Sequence, residues 1–326
     1  MGNRSFASAS PGGGAFEAPI FTRTDATAPR AGLFRSVWAR PILLLVLTTL
    51  IWAGHSIVGR LSVGQIGPMT LTCMRWGAAL VPILAVARPA LRRDWPILTA
   101  RWRYVAIMGA LGYTAFNALF YLAAHRTSAL NLSIIQGAIP ALVLIGARIF
   151  LGARFTALQV LGAAITMVGV ATIAAQGDPA RLAALAFNGG DLLMLAAVVL
   201  YAGYTIGLRE RPRVSGLSLL AGMAVAAFLT SLPLMAWEIA AGGFIWPTAA
   251  GFATLIYVAL GPAFSSQLFY MRGVELIGPG RAGVFVNLLP VFGAIMAVVL
   301  LGEPFAAYHV VALSLVVGGI AIAQNG

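Results

Sequence analysis

Lysine is missing altogether: all 21 basic residues are arginine, and only nine acidic residues oppose them. Without lysine there is no Gly-Lys-Ser/Thr loop to cradle phosphates, so the chain carries no ATPase of its own. Cysteine occurs once, at Cys73, which excludes an internal disulfide. The three histidines, His55, His125 and His309, stand at no ligand spacing with it, so neither a metal nor a cofactor is expected. Charge of either sign is scarce, 9% of residues against about one quarter in soluble domains, and that excludes a water-soluble fold. The net charge of +12 would suit nucleic acid, but no basic face with interleaved aromatics exists to track phosphates.

What is present is apolar sequence, 60% of the chain, gathered in runs of the length that crosses a bilayer; a core of roughly 30 Å needs about 20 residues. Stretches bounded by Arg, Pro or Gly predict ten spans near 41–63, 69–87, 104–123, 128–151, 156–175, 189–208, 217–237, 249–271, 279–301 and 306–324. The expected fold is an all-α polytopic membrane protein. Residues 1–37 hold no apolar run and predict a disordered cytoplasmic tail with no cleavable signal. Arginines in short loops stay on the cytoplasmic side. An N-terminus inside places 17 of them there, against Arg60, Arg126 and Arg181 outside and Arg75 within span two. A multi-pass protein of a bacterial inner membrane, with both termini cytoplasmic, is the expectation. Trp38, Trp95, Trp102, Trp237 and Trp246 fall where interfacial anchors belong, and Trp76 near the outer end of span two; Trp52 alone sits close to mid-bilayer.

The sequence repeats itself. Trp52-Ala53-Gly54-His55-Ser56-Ile57 returns as Tyr201-Ala202-Gly203-Tyr204-Thr205-Ile206, and Leu119-Phe120-Tyr121 as Leu268-Phe269-Tyr270, both 149 residues on. Pro140, Gly152, Phe155, Gly169 and Ala171 recur as Pro290, Gly302, Phe305, Gly319 and Ala321, 150 residues on. The units are 41–175 and 189–324, five spans each. Five is odd, so the second copy enters from the other side, giving two inverted five-helix repeats about a pseudo-two-fold axis in the membrane plane. Inverted repeats let one backbone design close toward either side around a solute held at the midplane. The pattern points to a membrane transporter and not to an enzyme: adjacent His55 and Ser56 point about 100° apart on a helix and form no dyad.

The Trp-Ala-Gly-His start at Trp52, Arg75, the Pro140 and Pro290 helices and Leu300-Leu301-Gly302-Glu303 resemble the EamA branch of the drug/metabolite transporter superfamily, over about residues 41 to 324. The resemblance implies a ten-helix carrier and export of amino acids, aromatic ones among them, or of related metabolites. It departs at Leu151-Gly152-Ala153, where the family often repeats the Glu. Glu303 is expected to bond the turn amides of the 9–10 hairpin.

Polar groups inside a bilayer face a cavity or another helix, so each is a candidate. Tyr113, Asn117 and Tyr121 form one stripe of span three, and Asn117 aligns with Ser266 in span eight; cavity lining and interhelical bonding both account for them. Trp52 and Tyr201 are symmetry mates one turn from His55 and Tyr204, offering aromatic faces with polar tips, as a partly apolar solute needs. His55 is the one ionisable group placed near mid-membrane, to bond or to titrate. Arg75 either pairs with a substrate carboxylate or snorkels to headgroups. Gln136 and Asn287 precede the kinking Pro140 and Pro290; Ser56 and Tyr270 complete the set, with Ser265 and Gln267 behind them. The expected partners are a small-molecule substrate and the lipid bilayer; a homodimer is one open assembly. Asp191, Glu238 and Glu275 fall at span ends, leaving no midplane carboxylate for ion coupling.

Overall fold

The structure, a computed structural model, describes residues 37–152, 156–178, 180 and 188–324. The tail read as disordered lies almost wholly outside them. Among the described residues ten helices run between two faces: α1 (Pro41–Leu61), α2 (Pro68–Ala100), α3 (Trp102–Ala124), α4 (Ala129–Leu151), α5 (Ala157–Ala174), α6 (Gly189–Gly207), α7 (Gly216–Ala240), α8 (Ala249–Ile277), α9 (Pro279–Val286 continued by Leu289–Leu301) and α10 (Ala307–Gln324). Eight are individually long and apolar enough to cross a membrane. No strand occurs among the described residues. The face at which α1 begins and α10 ends carries most arginines and is termed the arginine-rich face.

Two helices outrun the sequence-based spans. The sequence reading ends span two at 87, before Arg88, yet α2 continues to Ala100 as an extension too polar for lipid. Ile83, Ala87, Ala90, Asp94 and Leu98 are buried at spacings of three and four, one face laid along α7, while Arg88, Arg92 and Arg93 are exposed. Pro82, Pro89 and Pro96 recur every seven residues away from that face, where a missing N–H is tolerated. Similarly α8 continues to Ile277, past the expected 271.

Packing obeys a two-fold rule. α1 packs on α8 and α9, and α6 packs on their counterparts α3 and α4; α2 meets α7, α4 meets α9 and α5 meets α10, each its own mate. Since each half makes five crossings, α1–α5 and α6–α10 run in opposite senses, and the repeats are inverted. The α5–α10 crossing shows the symmetry at atomic scale. A Cβ on Gly319 would lie 2.6 Å from the carbonyl of Gly162, and one on Gly169 2.9 Å from that of Ala312. These two contacts exchange under the 150-residue offset. Small residues are what let backbones touch in lipid. Gly319→Val is therefore expected to force the two helices apart; a loss of monodisperse protein on detergent size exclusion, absent for the outward-facing Gly318→Val, checks it.

The ends are capped by acids from the other half. Glu238, at the end of α7, accepts from the backbone N–H groups of Met69 (3.0 Å) and Thr70 (2.9 Å) and from the Thr70 hydroxyl (2.6 Å), closing the start of α2. Reciprocally, Asp94 on α2 accepts from the Ser215 N–H at the start of α7 (2.9 Å). Glu303 differs from its expected role: its two oxygens accept from Ala129 and Leu130, each 2.9 Å, and so cap α4 rather than its own hairpin. The reason is that α9 and α4 are symmetry mates in contact, so the residue after α9 faces the first turn of α4, where four N–H groups lack partners and attract an anion.

Candidate functional site

Four of the helices are interrupted at mid-depth, in symmetric pairs. α3 widens into a π-helical turn at Ala110–Ala115 and α8 at Gly261–Ser265. α4 breaks between Gln136 and Ile139, α9 between Val286 and Leu289. Each break is succeeded by a proline, and Pro140 and Pro290 cannot donate to the carbonyls of Gln136 and Val286. Irregular backbone at membrane depth is tolerated where it lines a cavity, and these breaks surround one of about 140 Å³.

Of the residues expected to handle a solute, Trp52, His55, Arg75, Tyr113, Asn117, Gln136, Tyr201, Tyr204, Asn287, Pro140 and Pro290 line this cavity. Ser56, Tyr121, Ser266 and Tyr270 do not. Tyr121 stands behind the wall and bonds two of its members. Ser56 accepts a hydrogen bond from the Gln136 amide at 2.9 Å. Tyr270 packs its ring on Trp52, centroids 5.4 Å apart. Ser266 turns away and donates to the Pro262 carbonyl of its own helix, 2.9 Å. The π-turn rotates the rest of α8, so that Gln267 and Pro262 present themselves instead.

The polar centre is Arg75, 3% exposed and about 10 Å inside α2 by helical rise. It does not snorkel. Its Nη1 donates to the Tyr121 hydroxyl (2.8 Å), to His55 Nε2 (3.0 Å) and to Asn117 Oδ1. The Tyr121 hydroxyl in turn lies 2.9 Å from His55 Nε2. Accepting there from both, His55 keeps its proton on Nδ1, and its ring is clamped between Phe120, stacked at 4.4 Å, and Tyr121. The Asn117 amide donates to Tyr113 O at 2.5 Å, which aims its oxygen at the guanidinium. All these acceptors are neutral: no carboxylate of the described residues pairs with Arg75. Its Nε is buried with no hydrogen-bond partner, and so is the indole Nε1 of neighbouring Trp76.

Trp76 and Phe116 are wall residues that sequence reasoning missed, and Trp76 sits at the centre. It lies flush on Tyr113, centroids 4.5 Å and planes 5° apart, under the Arg75 guanidinium at 5.2 Å. The sequence marks it only as near the outer end of span two; its place beside Arg75 was the available signal. The aromatic wall continues through Tyr204 to Tyr201 (5.3 Å) and Phe116 (5.0 Å). Gly112 makes room for it, since any Cβ there would strike the Tyr204 ring. Facing this wall, the Asn287 amide and the Gln267 carbonyl oxygen are available, the Gln267 nitrogen being turned back to Pro262 O at 3.4 Å. The arrangement offers a cation, an aromatic surface and, opposite, amide acceptors.

The sequence profile of the EamA-like transporter family matches residues 39–175 and again 188–324. The chain is 27% identical to "Uncharacterized transporter YyaM" of Bacillus subtilis (strain 168) over 296 residues, 87% of this chain and 93% of that one. It is 27% identical over 278 residues to a "Probable terminal-alkyne amino-acid exporter" of Streptantibioticus cattleyicolor, covering 83% and 87%. A solved crystal structure superposes with a TM-score of 0.60 over 87% of this chain and 96% of its own, at 18% identity, a likeness of fold.

Proposed function

The chain belongs to the EamA-like transporter family, and on that premise we propose that it exports small amphipathic carboxylates, aromatic amino acids foremost, by alternating access through the central cavity. The single observation that carries this reading is Arg75: a guanidinium sealed in the membrane at a cavity wall, held by neutral groups only, with Nε unpartnered. A charge so placed is expensive and marks a solute path. A carboxylate supplies the missing partner with two parallel bonds. The aromatic wall takes an apolar or aromatic body, and the Asn287 and Gln267 oxygens take an ammonium group. The amino-acid exporter among the relatives supports the same class.

Rocking of the inverted halves moves the site between faces. The arginine bias puts the termini on the cytoplasmic side, and the exposed Trp95 and Trp102 at one face with Trp237 and Trp246 at the other suit two headgroup layers. No carboxylate faces the cavity among the described residues, so exchange or flow down a gradient is favoured over ion-driven pumping.

The test is counterflow in proteoliposomes loaded with phenylalanine, tyrosine or tryptophan and offered the labelled compound outside. Uptake well above empty liposomes is expected, competed by carboxylate-bearing aromatics and poorly by phenylalaninol. Trp52→Ala should leave uptake measurable while erasing the preference for aromatic over aliphatic amino acids. Failure of every amino acid tried would end the reading.

A further inference from the structure

A second polar cavity, about 470 Å³, opens at the face opposite the arginine-rich one, between the end of α1, the α3–α4 turn and the α9–α10 connection. Its rim carries Arg60 and Arg126, and its floor carries Asn131, which is 5% exposed. Asn131 is fixed in orientation. Its Nδ2 donates to Thr127 Oγ1 (3.2 Å) and to the two oxygens of Asp191 (3.2 and 3.3 Å), which leaves Oδ1 turned away from them, buried and with no hydrogen-bond partner. A buried carbonyl oxygen without a donor is costly. Nearby carboxylates, Asp191 under the floor and Glu303 in the wall, have their oxygens engaged by Thr127, Asn131, Ala129 and Leu130, but their negative field remains. At the rim, Arg60 is anchored through Nη1 on Ala124 O (2.9 Å), while the Arg126 side chain is exposed on the turn. His309, whose Nδ1 accepts from Ala306 N–H (3.0 Å), presents Nε2–H as a further donor. Cations at the rim and an unmet acceptor in a negative floor match a zwitterion.

We infer that this cleft is a second, outer station for an α-amino acid, with the carboxylate on Arg126 and Arg60 and the ammonium on Asn131 Oδ1. The inference rests on the central-site reading for its solute class. The two stations share the α1–α4 seam: His55 and Gln136 line the central cavity, Arg60 and Asn131 the outer one. Five residues separate them on each helix, about 7.5 Å of rise. Between them stand the Ser56–Gln136 hydrogen bond (2.9 Å) and the His55–Tyr121 contact (2.9 Å), which join α1 to α4 and to α3 through side chains alone. Both open by rotamer change and leave the helices hydrogen-bonded, so the pair forms the gate between stations.

Equilibrium binding of labelled L-phenylalanine to the full-length protein in nanodiscs tests this. Two equivalents per chain are expected, one weaker. Arg126→Ala, on an exposed turn where folding is not at stake, should weaken one equivalent at least tenfold and leave the other; Asn131→Leu with Arg126→Ala should abolish it. Arg75→Gln should remove the remaining one. Saturation of the wild type at one equivalent that is lost in Arg75→Gln would sink the outer station and leave the central reading standing. Two equivalents both indifferent to Arg126 and Asn131 would also sink it. No binding of phenylalanine at all would sink both.

Discussion

Arg75→Gln is expected to slow counterflow of carboxylate-bearing solutes about a hundredfold, with the protein still monodisperse. A bidentate charge-assisted contact contributes about 3 kcal/mol, and about 1.4 kcal/mol is a factor of ten. Glutamine is the shorter side chain and its amide ends near the place of Nε, so the charge and the Nη1 bonds to Asn117 and Tyr121 are lost together while a polar group stays at the wall. Lysine restores charge without the planar fork and should recover only part of the rate. The decisive comparison is phenylalanine against phenylalaninol: the wild type prefers the acid, and Arg75→Gln should not. A variant that is slow toward both alike would reduce Arg75 to scaffolding.

Glu303→Ala is expected to open the face opposite the arginine-rich one. The carboxylate satisfies two N–H groups at the start of α4 and ties α9 to it. Each orphaned buried donor costs about 1–3 kcal/mol. Glu238 and Asp191 join the halves at the same face, so the closure loosens without collapsing. At the symmetric place in the first half, Leu151-Gly152 is succeeded by Ala153, and Pro279, at the position of Ala129, has no N–H to offer. The arginine-rich face therefore has neither the acid nor the full pair of donors. In a Cys73→Ser background, Ser56→Cys is buried at the gate and reacts slowly with a membrane-impermeant thiol reagent. Adding Glu303→Ala should raise labelling from the outer side at least tenfold; an unchanged rate would show that the cap has no part in closure.

Much of the site was readable because the repeat made it so. Trp52 with Tyr201 and Pro140 with Pro290 were found as pairs, and both pairs line one cavity. Arg75 stood out because a charge within a span needs a partner. Ser266 was placed in the cavity by straight alignment with Asn117, and the structure turns it aside because the π-turns at Ala110–Ala115 and Gly261–Ser265 shift helical phase locally. Such turns arise from how neighbouring helices press together and have no periodicity of their own to read. Trp76 escaped for a related reason: whether a tryptophan near a span end faces headgroups or a cavity depends on the rotation of its helix.

By itself the sequence determined the medium, the number of crossings and the inverted duplication, because hydropathy, arginine placement and the 149–150 offset are properties of the chain read along its length. The tertiary structure alone decided which helix end each acid caps, that α2 runs on beside α7, and that the Arg75 guanidinium turns inward among neutral acceptors. Those outcomes depend on which helices lie side by side and at what rotation, and that is settled only when the two halves pack against each other.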